Sequence, residues 1–149
     1  METELIRKSR AYAEEVLRKL PETFTYHNLK HTTAVAEAAE EIGRQSTLSN
    51  DDLENVLIAA WLHDTGYEKD REHHEERSAD TATTLLESWG ASHDKVKKVQ
   101  NLIAATRMPQ NPQNLAEQVL CDADLYHLSK KDIFECAQQI RSEIENSDS

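Results

Sequence analysis

The sequence has 149 residues, only three glycines and three prolines, and a formal net charge of −11. So few turn-forming residues disfavour a many-stranded sheet, whereas the abundant Ala, Leu, Glu, Lys, Gln and Arg favour helices. The negative charge opposes binding to nucleic acid, because that binding depends on Lys and Arg neutralising phosphates, so we expect no nucleic-acid partner.

The length and the cysteine usage set further expectations. A chain of this size fits one helical domain over residues 1–149, with a polar tail at 146–149. The N-terminal sequence METELIRKSRAYAEE lacks the apolar run of a secretory signal, and no stretch approaches 18 consecutive apolar residues. Cys121 and Cys136 are the only two cysteines. We therefore expect a cytoplasmic protein with no membrane partner.

Hydrophobic periodicity predicts two helices in the first third of the chain. The first spans about Glu2 to Leu20 and ends at Pro21. After the loop ETFTYHN, the second spans residues 29–45, with His31 on the same apolar stripe as Val35. This histidine is therefore predicted to point toward the core.

The third predicted helix ends in His63 and Asp64, two residues whose side chains commonly bind metal ions. Ser49 is a good N-cap, because two aspartates follow it in the first turn. The apolar stripe of this helix continues into His63 and Asp64, and Gly66 is predicted to stop the helix.

The second half of the sequence is predicted to be helical as well. The segment YEKDREHHEER reads as a charged connection to a fourth helix that begins at Ser78 and ends at Gly90. The fifth helix begins after the N-cap Ser92.

Two further helices complete the prediction. Asn111 and Pro112 resemble an N-cap and first position of a sixth helix, which carries LAEQVLCDADLYHL. Ser129 and Asp132 resemble a capping box for a last helix, DIFECAQQIRSEIE. The predicted fold class is all-α, a compact bundle of about six to seven helices.

Imidazole and carboxylate groups on inward stripes of different helices are a recurring way to hold a metal ion in a bundle. His31, His63, Asp64 and an aspartate of the DAD sequence meet that description, and their mixed N/O donors suit Mn, Fe, Zn or Mg. Each has a simpler interpretation, since a lone histidine can be a hydrogen-bonded core residue and Asp64 in LHDTG can form a turn. Periodicity does not choose between Asp122 and Asp124.

Three sequence segments resemble a known family. YHNLKHT, AAWLHDTGY and LCDADL, spread from about Thr25 to Leu125, are similar to the HD superfamily of metal-dependent phosphohydrolases. The resemblance implies an HD-domain-like fold with a metal-binding kernel at about 25–125. It also implies one or two divalent ions per chain (Mn, Fe, Mg, Zn, Co or Ni), held by His31, His63, Asp64 and Asp124.

The YHNxxH motif is also similar to a motif of the cyclic-nucleotide phosphodiesterases. That resemblance implies that His27 donates a proton and that His31 binds metal. In a mechanism with a metal-activated water, Asp64 is expected to help orient the attacking hydroxide. After the His-Asp pair, the run Thr65 to Glu68 lacks the acidic pair of the guanosine tetraphosphate hydrolases, so that activity is not indicated.

Three more residues are secondary candidates. His73 and His74 are candidates for a second metal ion or a phosphate oxygen, and the alternative is a solvated charged loop. Arg107 has the guanidinium geometry to clamp a phosphate, although arginines at helix ends usually contact terminal carbonyls or water.

The sequence thus predicts a metal-dependent phosphohydrolase that cleaves a phosphate ester of a small molecule, with nucleotides among the candidates, by a metal-activated water. The main alternative is a non-catalytic HD-like module that binds a nucleotide or regulates a partner. A helical interaction domain without metal is a third interpretation.

Overall fold

The computed structural model describes residues 2–19, 29–63, 65, 74–106 and 112–130, with side chains described throughout except at 74–75 and 125–130. Within these ranges the chain forms six helices and no strand: α1 Glu4–Arg18, α2 Leu29–Gln45, α3 Asn50–Leu62, α4 His74–Ser88, α5 His93–Ala105 and α6 Leu115–Lys130. The all-α fold class is confirmed. None of the described helices combines the length and the apolar character needed to cross a membrane.

Helix α3 is the centre of the described structure. Every residue from Asn55 to Leu62 is buried, and α3 contacts each of the five other described helices. From Val56 to Leu62 the helix is apolar on all sides, and such a segment has to be enclosed by other elements, which accounts for this position. The end of α3 is therefore fixed by packing, and that end carries His63.

The packing of α2 determines where its first turn lies. Residues 46–49 connect α2 to α3, and a connection this short makes the two helices antiparallel neighbours. Helix α2 also packs against α6. The beginning of α2, the end of α3 and the middle of α6 therefore come together.

Hydroxyl side chains cap three of the helices. The Oγ of Ser49 accepts a hydrogen bond from the backbone N of Asp52 at 3.1 Å, and that of Ser92 accepts one from Lys95 N at 3.2 Å. These two predicted N-caps are confirmed. Thr3 caps α1 in the same way, so α1 begins at Glu4, two residues later than predicted.

Helix α4 begins earlier than the sequence indicated. It starts at His74, so the end of the predicted charged connection, residues 74–77, belongs to the helix. The reason is that Glu and Arg are good helix formers, and acidic residues are favoured near a helix N-terminus.

Helix α6 differs from its prediction at both ends. It begins at Leu115, and Asn114 Oδ1 accepts a hydrogen bond from Glu117 N at 2.9 Å, so Pro112 lies before the helix rather than in its first turn. Ser129 lies within α6, but its side chain and the residues it was predicted to cap fall outside the described part of the chain. The predicted last helix, from Asp132 onward, and the polar tail at 146–149 fall outside the described residues.

A buried lysine joins α3 to α5. Lys95 is 9% exposed, and its Nζ lies 3.0 Å from Asp51 Oδ1 and 2.5 Å from Glu54 Oε1. A buried ammonium group requires partners of this kind. The pair of carboxylates therefore explains how a charged residue is accommodated between these helices.

Candidate metal centre

Three side chains from three helices converge inside the bundle: His31, His63 and Asp124. The histidines are 7% and 2% exposed, and the side chain of Asp124 is 14% exposed. One ring nitrogen of each histidine and one carboxylate oxygen of Asp124 all lie within 4.8 Å of one another. Buried groups of these types in one cluster are a candidate metal site.

The fold positions each member of this cluster. His31 lies in the first turn of α2, His63 is the C-cap residue of α3, and Asp124 lies in the third turn of α6. Because α2 packs against both α3 and α6, these three positions face one another.

The His63 ring is oriented by the end of its own helix. Its Nδ1 lies 2.7 Å from the carbonyl oxygen of Ala60, in the last turn of α3. A carbonyl oxygen only accepts, so Nδ1 carries the hydrogen and donates it. In the neutral ring, the lone pair is therefore on Nε2, which faces Asp124 Oδ1 at 3.4 Å.

A nitrogen lone pair and a carboxylate oxygen that face each other repel unless positive charge lies between them. A proton or a metal ion can supply that charge. The Nε2 atoms of His31 and His63 lie 3.3 and 3.4 Å from Asp124 Oδ1. A direct N–H···O bond is about 2.7–3.2 Å long, whereas two ligands at about 2.1 Å from an ion in tetrahedral geometry are about 3.4 Å apart. The spacing fits a shared metal ion.

The charge state of Asp124 also suits a ligand. Burial alone would raise the pKa of its carboxyl group, but hydrogen bonds and positive charge at His31 and His63 outweigh burial and hold that pKa well below its usual range. The carboxylate is therefore charged at neutral pH. Two imidazole nitrogens and one carboxylate oxygen form a donor set that accepts Zn, Fe, Mn, Co or Ni.

Comparison with known proteins agrees with this geometry. The sequence model of the HD domain matches residues 28–129, which is more than half of the chain.

The chain belongs to the HD domain family. Members of this family bind divalent metals and are generally metal-dependent hydrolases. The structure is similar to the crystal structure of a predicted HD superfamily hydrolase from an uncultured Thermotogales bacterium. The TM-score is 0.70 and the sequence identity 27%, over 82% of this chain and 67% of the other. No curated protein matches the chain.

The structure describes only part of the site that the sequence predicts for this HD domain. His27, Asp64, His73 and Arg107 lie outside the described residues. His74 is the first residue of α4, and its side chain is not described.

The two aspartates of the DAD sequence occupy different environments. Asp124 lies against both histidines, whereas Asp122 is exposed on the surface of α6. This arrangement makes Asp124 the candidate ligand of the HD domain, a choice that periodicity left open.

Sequence reasoning did not identify Ala60 as part of the site. Its carbonyl oxygen, not its side chain, orients His63. Such a partner commonly fixes the tautomer of a metal-binding histidine. The available signal was the position of His63 at the predicted end of a helix, where a histidine side chain can hydrogen-bond the last carbonyls.

Cys121 lies near this cluster, and its environment makes its thiol unreactive. It is 4% exposed, and its Sγ donates a hydrogen bond to Ala105 O at 3.2 Å. Burial, together with the negative charges of Asp124, Asp122 and Glu117, raises the pKa of the thiol to about 12. The reactive thiolate is therefore scarce at neutral pH.

We expect iodoacetamide at pH 8 to alkylate Cys121 at least about tenfold more slowly in the folded HD domain than in urea, because folding suppresses the thiolate. Peptide mass spectrometry measures this rate separately from that of Cys136. Equal rates in the folded and the denatured chain would contradict the buried, high-pKa environment of Cys121.

Proposed function

We propose that this HD domain is a metal-dependent phosphohydrolase that cleaves a phosphate ester of a small molecule. The observation that carries the proposal is the convergence of one ring nitrogen of His31, one of His63 and a carboxylate oxygen of Asp124, all within 4.8 Å of one another inside the bundle. The distances of 3.3 and 3.4 Å from the two Nε2 atoms to Asp124 Oδ1 match those between ligands that share one ion. Membership of a family of metal-dependent hydrolases supports the proposal.

In this proposal, His31, His63 and Asp124 hold the ion, and Asp64 adds a further ligand from the residue after His63. A bound divalent ion supplies a Lewis acid for a phosphoryl oxygen and lowers the pKa of a coordinated water toward about 7. The hydrogen bond from His63 Nδ1 to Ala60 O keeps the ring in the tautomer and orientation that ligation needs. The low pKa of Asp124 keeps its carboxylate available throughout the neutral range.

His27 is the proposed proton donor to the leaving alkoxide. An imidazole titrates near neutral pH and is therefore suited to this role. Asp64 would also orient the attacking water. His73, His74 and Arg107 remain proposals for a second ion or for contacts with the phosphate.

A bound ion would allow a phosphorylated substrate in spite of the chain's net charge of −11. The proposed ligands include two carboxylates, Asp64 and Asp124, whose charge one divalent ion balances, so the centre would not repel a phosphate and the ion could bind one of its oxygens. The general negative field acts through solvent and is screened beyond roughly 8 Å at physiological salt. A phosphate group could therefore approach the centre.

Phosphate release tests the proposal. The native metal is measured first, and the chain is then assayed with nucleoside monophosphates, sugar phosphates and small phosphate diesters, in turn with Mn, Mg, Fe, Co, Ni and Zn. We expect at least one ester to be cleaved, with activity abolished by a chelator and restored by metal. The His63→Ala variant should lose both bound metal and activity.

Two outcomes would contradict the proposal. A fully metal-loaded chain that releases no phosphate but is stabilised by a nucleotide would favour the non-catalytic binding module. Unchanged metal content in His63→Ala would argue against the metal centre itself.

A further inference from the structure

Thr65 is a buried polar residue just beyond the helix end that carries His63. It is 3% exposed, and its Oγ1 donates a hydrogen bond to the carbonyl oxygen of Leu62 at 2.8 Å. Leu62 is the last residue of α3 and is itself completely buried. Burial of a hydroxyl group is costly without a hydrogen bond, so this contact is what allows a threonine in the interior at this position.

The hydrogen bond between Thr65 and Leu62 spans the two residues of the His-Asp pair. In the sequence, His63 and Asp64 lie between the donor and the acceptor. His63 keeps a helical backbone conformation, and its backbone N donates to Ala59 O at 2.8 Å. Hydrogen bonds from a threonine side chain to the backbone of a nearby residue stabilise particular local backbone conformations. The contact therefore limits the conformations available to the chain between residues 62 and 65.

Two side chains thus bind carbonyl oxygens in the last turn of α3, and they fix different things. His63 Nδ1 donates to Ala60 O at 2.7 Å, which orients the imidazole ring. Thr65 Oγ1 donates to Leu62 O, which orients the backbone. Threonine suits this role because its β-branched side chain has few allowed χ1 angles, so the hydroxyl group is held in place. Both bonds lie in the interior, where a hydrogen bond is electrostatically stronger than in water.

We propose that Thr65 is a positioning residue for the metal centre, and that its hydroxyl group, through the carbonyl of Leu62, holds His63 and Asp64 in the backbone conformation that binds a divalent ion. Ligands that are already in place need less ordering when the ion binds, so the ion is bound more tightly. Outer partners of metal ligands typically contribute about 10–100-fold to metal affinity. The proposal rests on the metal centre of the proposed function, but not on hydrolysis of a phosphate ester.

Cobalt binding tests this role with a readout other than activity. Competition with a chromophoric chelator measures the affinity of the full chain for Co²⁺, and the visible absorption of the bound cobalt reports the geometry of its ligands. Thr65→Val keeps the shape of the side chain and removes the hydroxyl group. We expect this variant to bind Co²⁺ about 10–100-fold more weakly and to alter the visible spectrum, because the His-Asp pair is no longer held.

A second pair of variants isolates the hydroxyl group if Thr65→Val does not fold. Thr65→Ser keeps the hydroxyl group and should retain the affinity and the spectrum of the unmodified chain, whereas Thr65→Ala should behave as Thr65→Val is expected to. Ser9→Ala is the matched control for lost stability. Ser9 is completely buried, and its Oγ donates to Leu5 O at 2.8 Å within α1, a helix that carries none of the proposed ligands. Ser9→Ala should leave the affinity for Co²⁺ unchanged.

The results distinguish the role of Thr65 from the metal centre itself. The role alone is overturned if the unmodified chain binds Co²⁺, His63→Ala does not, and the variants without the hydroxyl group bind it as tightly as the unmodified chain. It is also overturned if Thr65→Ser loses as much affinity as Thr65→Ala, or if Ser9→Ala loses as much as they do. An unmodified chain that binds no Co²⁺ would contradict both the metal centre and this role. A chain that binds metal but releases no phosphate would contradict only the proposed hydrolysis.

Discussion

Replacing Asp124 with asparagine is expected to remove the bound metal from the HD domain and to lower kcat/KM by roughly 10³-fold or more. The carboxylate is the only charged donor among the three described residues, and it faces both histidine nitrogens at 3.3 and 3.4 Å. A bound ion contributes several kcal/mol to transition-state stabilisation, and each 1.36 kcal/mol corresponds to about a tenfold change in rate. Metal analysis by mass spectrometry and steady-state kinetics measure the two losses.

Asp122→Asn is the matched control for this variant. It removes the same charge from the same helix, but at an exposed position. We expect its metal content and kcat/KM to remain those of the unmodified chain. Loss of metal in Asp122→Asn, with retention in Asp124→Asn, would show that the other aspartate of the DAD sequence is the ligand.

Leu120→Ala is expected to produce the largest loss of folding stability among the changes considered. Leu120 is completely buried, and it lies one turn before Asp124 on α6. Truncation of a buried leucine costs about 2–5 kcal/mol, because apolar contacts are lost and a cavity remains. Urea denaturation, with metal held at the same saturating concentration in every sample, measures the change in the free energy of unfolding.

Leu115→Ala is the control on the same helix. Leu115 is 42% exposed, and surface truncations of this kind usually change stability by no more than about 0.5 kcal/mol. If Leu120→Ala cost as little as Leu115→Ala, α6 would not be packed as the structure shows.

The helices that the sequence predicted best have a clear apolar stripe, as in α2, or a recognisable N-cap, as in α5. Helix α2 spans residues 29–45 as predicted, and α5 begins after Ser92. The errors occurred where two local signals competed. At α6, Asn111 with Pro112 resembled a helix start, but Asn114 forms the hydrogen bond to Glu117 N.

The site was predictable in part. The stripe indicated that His31 would point inward, and it is buried. Periodicity did not separate Asp122 from Asp124, because α6 has apolar residues on several sides; only its packing against α2 and α3 distinguishes the two positions. The orientation of His63 by Ala60 O is a tertiary detail of a helix end that a residue pattern does not contain.

Asn55 shows a second limit of sequence reasoning. On an ordinary surface helix, a polar residue between apolar ones is expected to face solvent. Helix α3 is enclosed, so Asn55 is buried with its neighbours. The burial of Asn55 is therefore set by the position of α3 in the fold and not by the polarity of the asparagine side chain.

Anomalous diffraction from crystals of the manganese-loaded chain tests the central claim most directly. We expect an anomalous peak about 2.0–2.3 Å from the Nε2 atoms of His31 and His63 and from a carboxylate oxygen of Asp124. The metal centre would be contradicted if no peak lay among these three groups while His63 Nε2 and the Asp124 carboxylate shared a proton in a direct hydrogen bond.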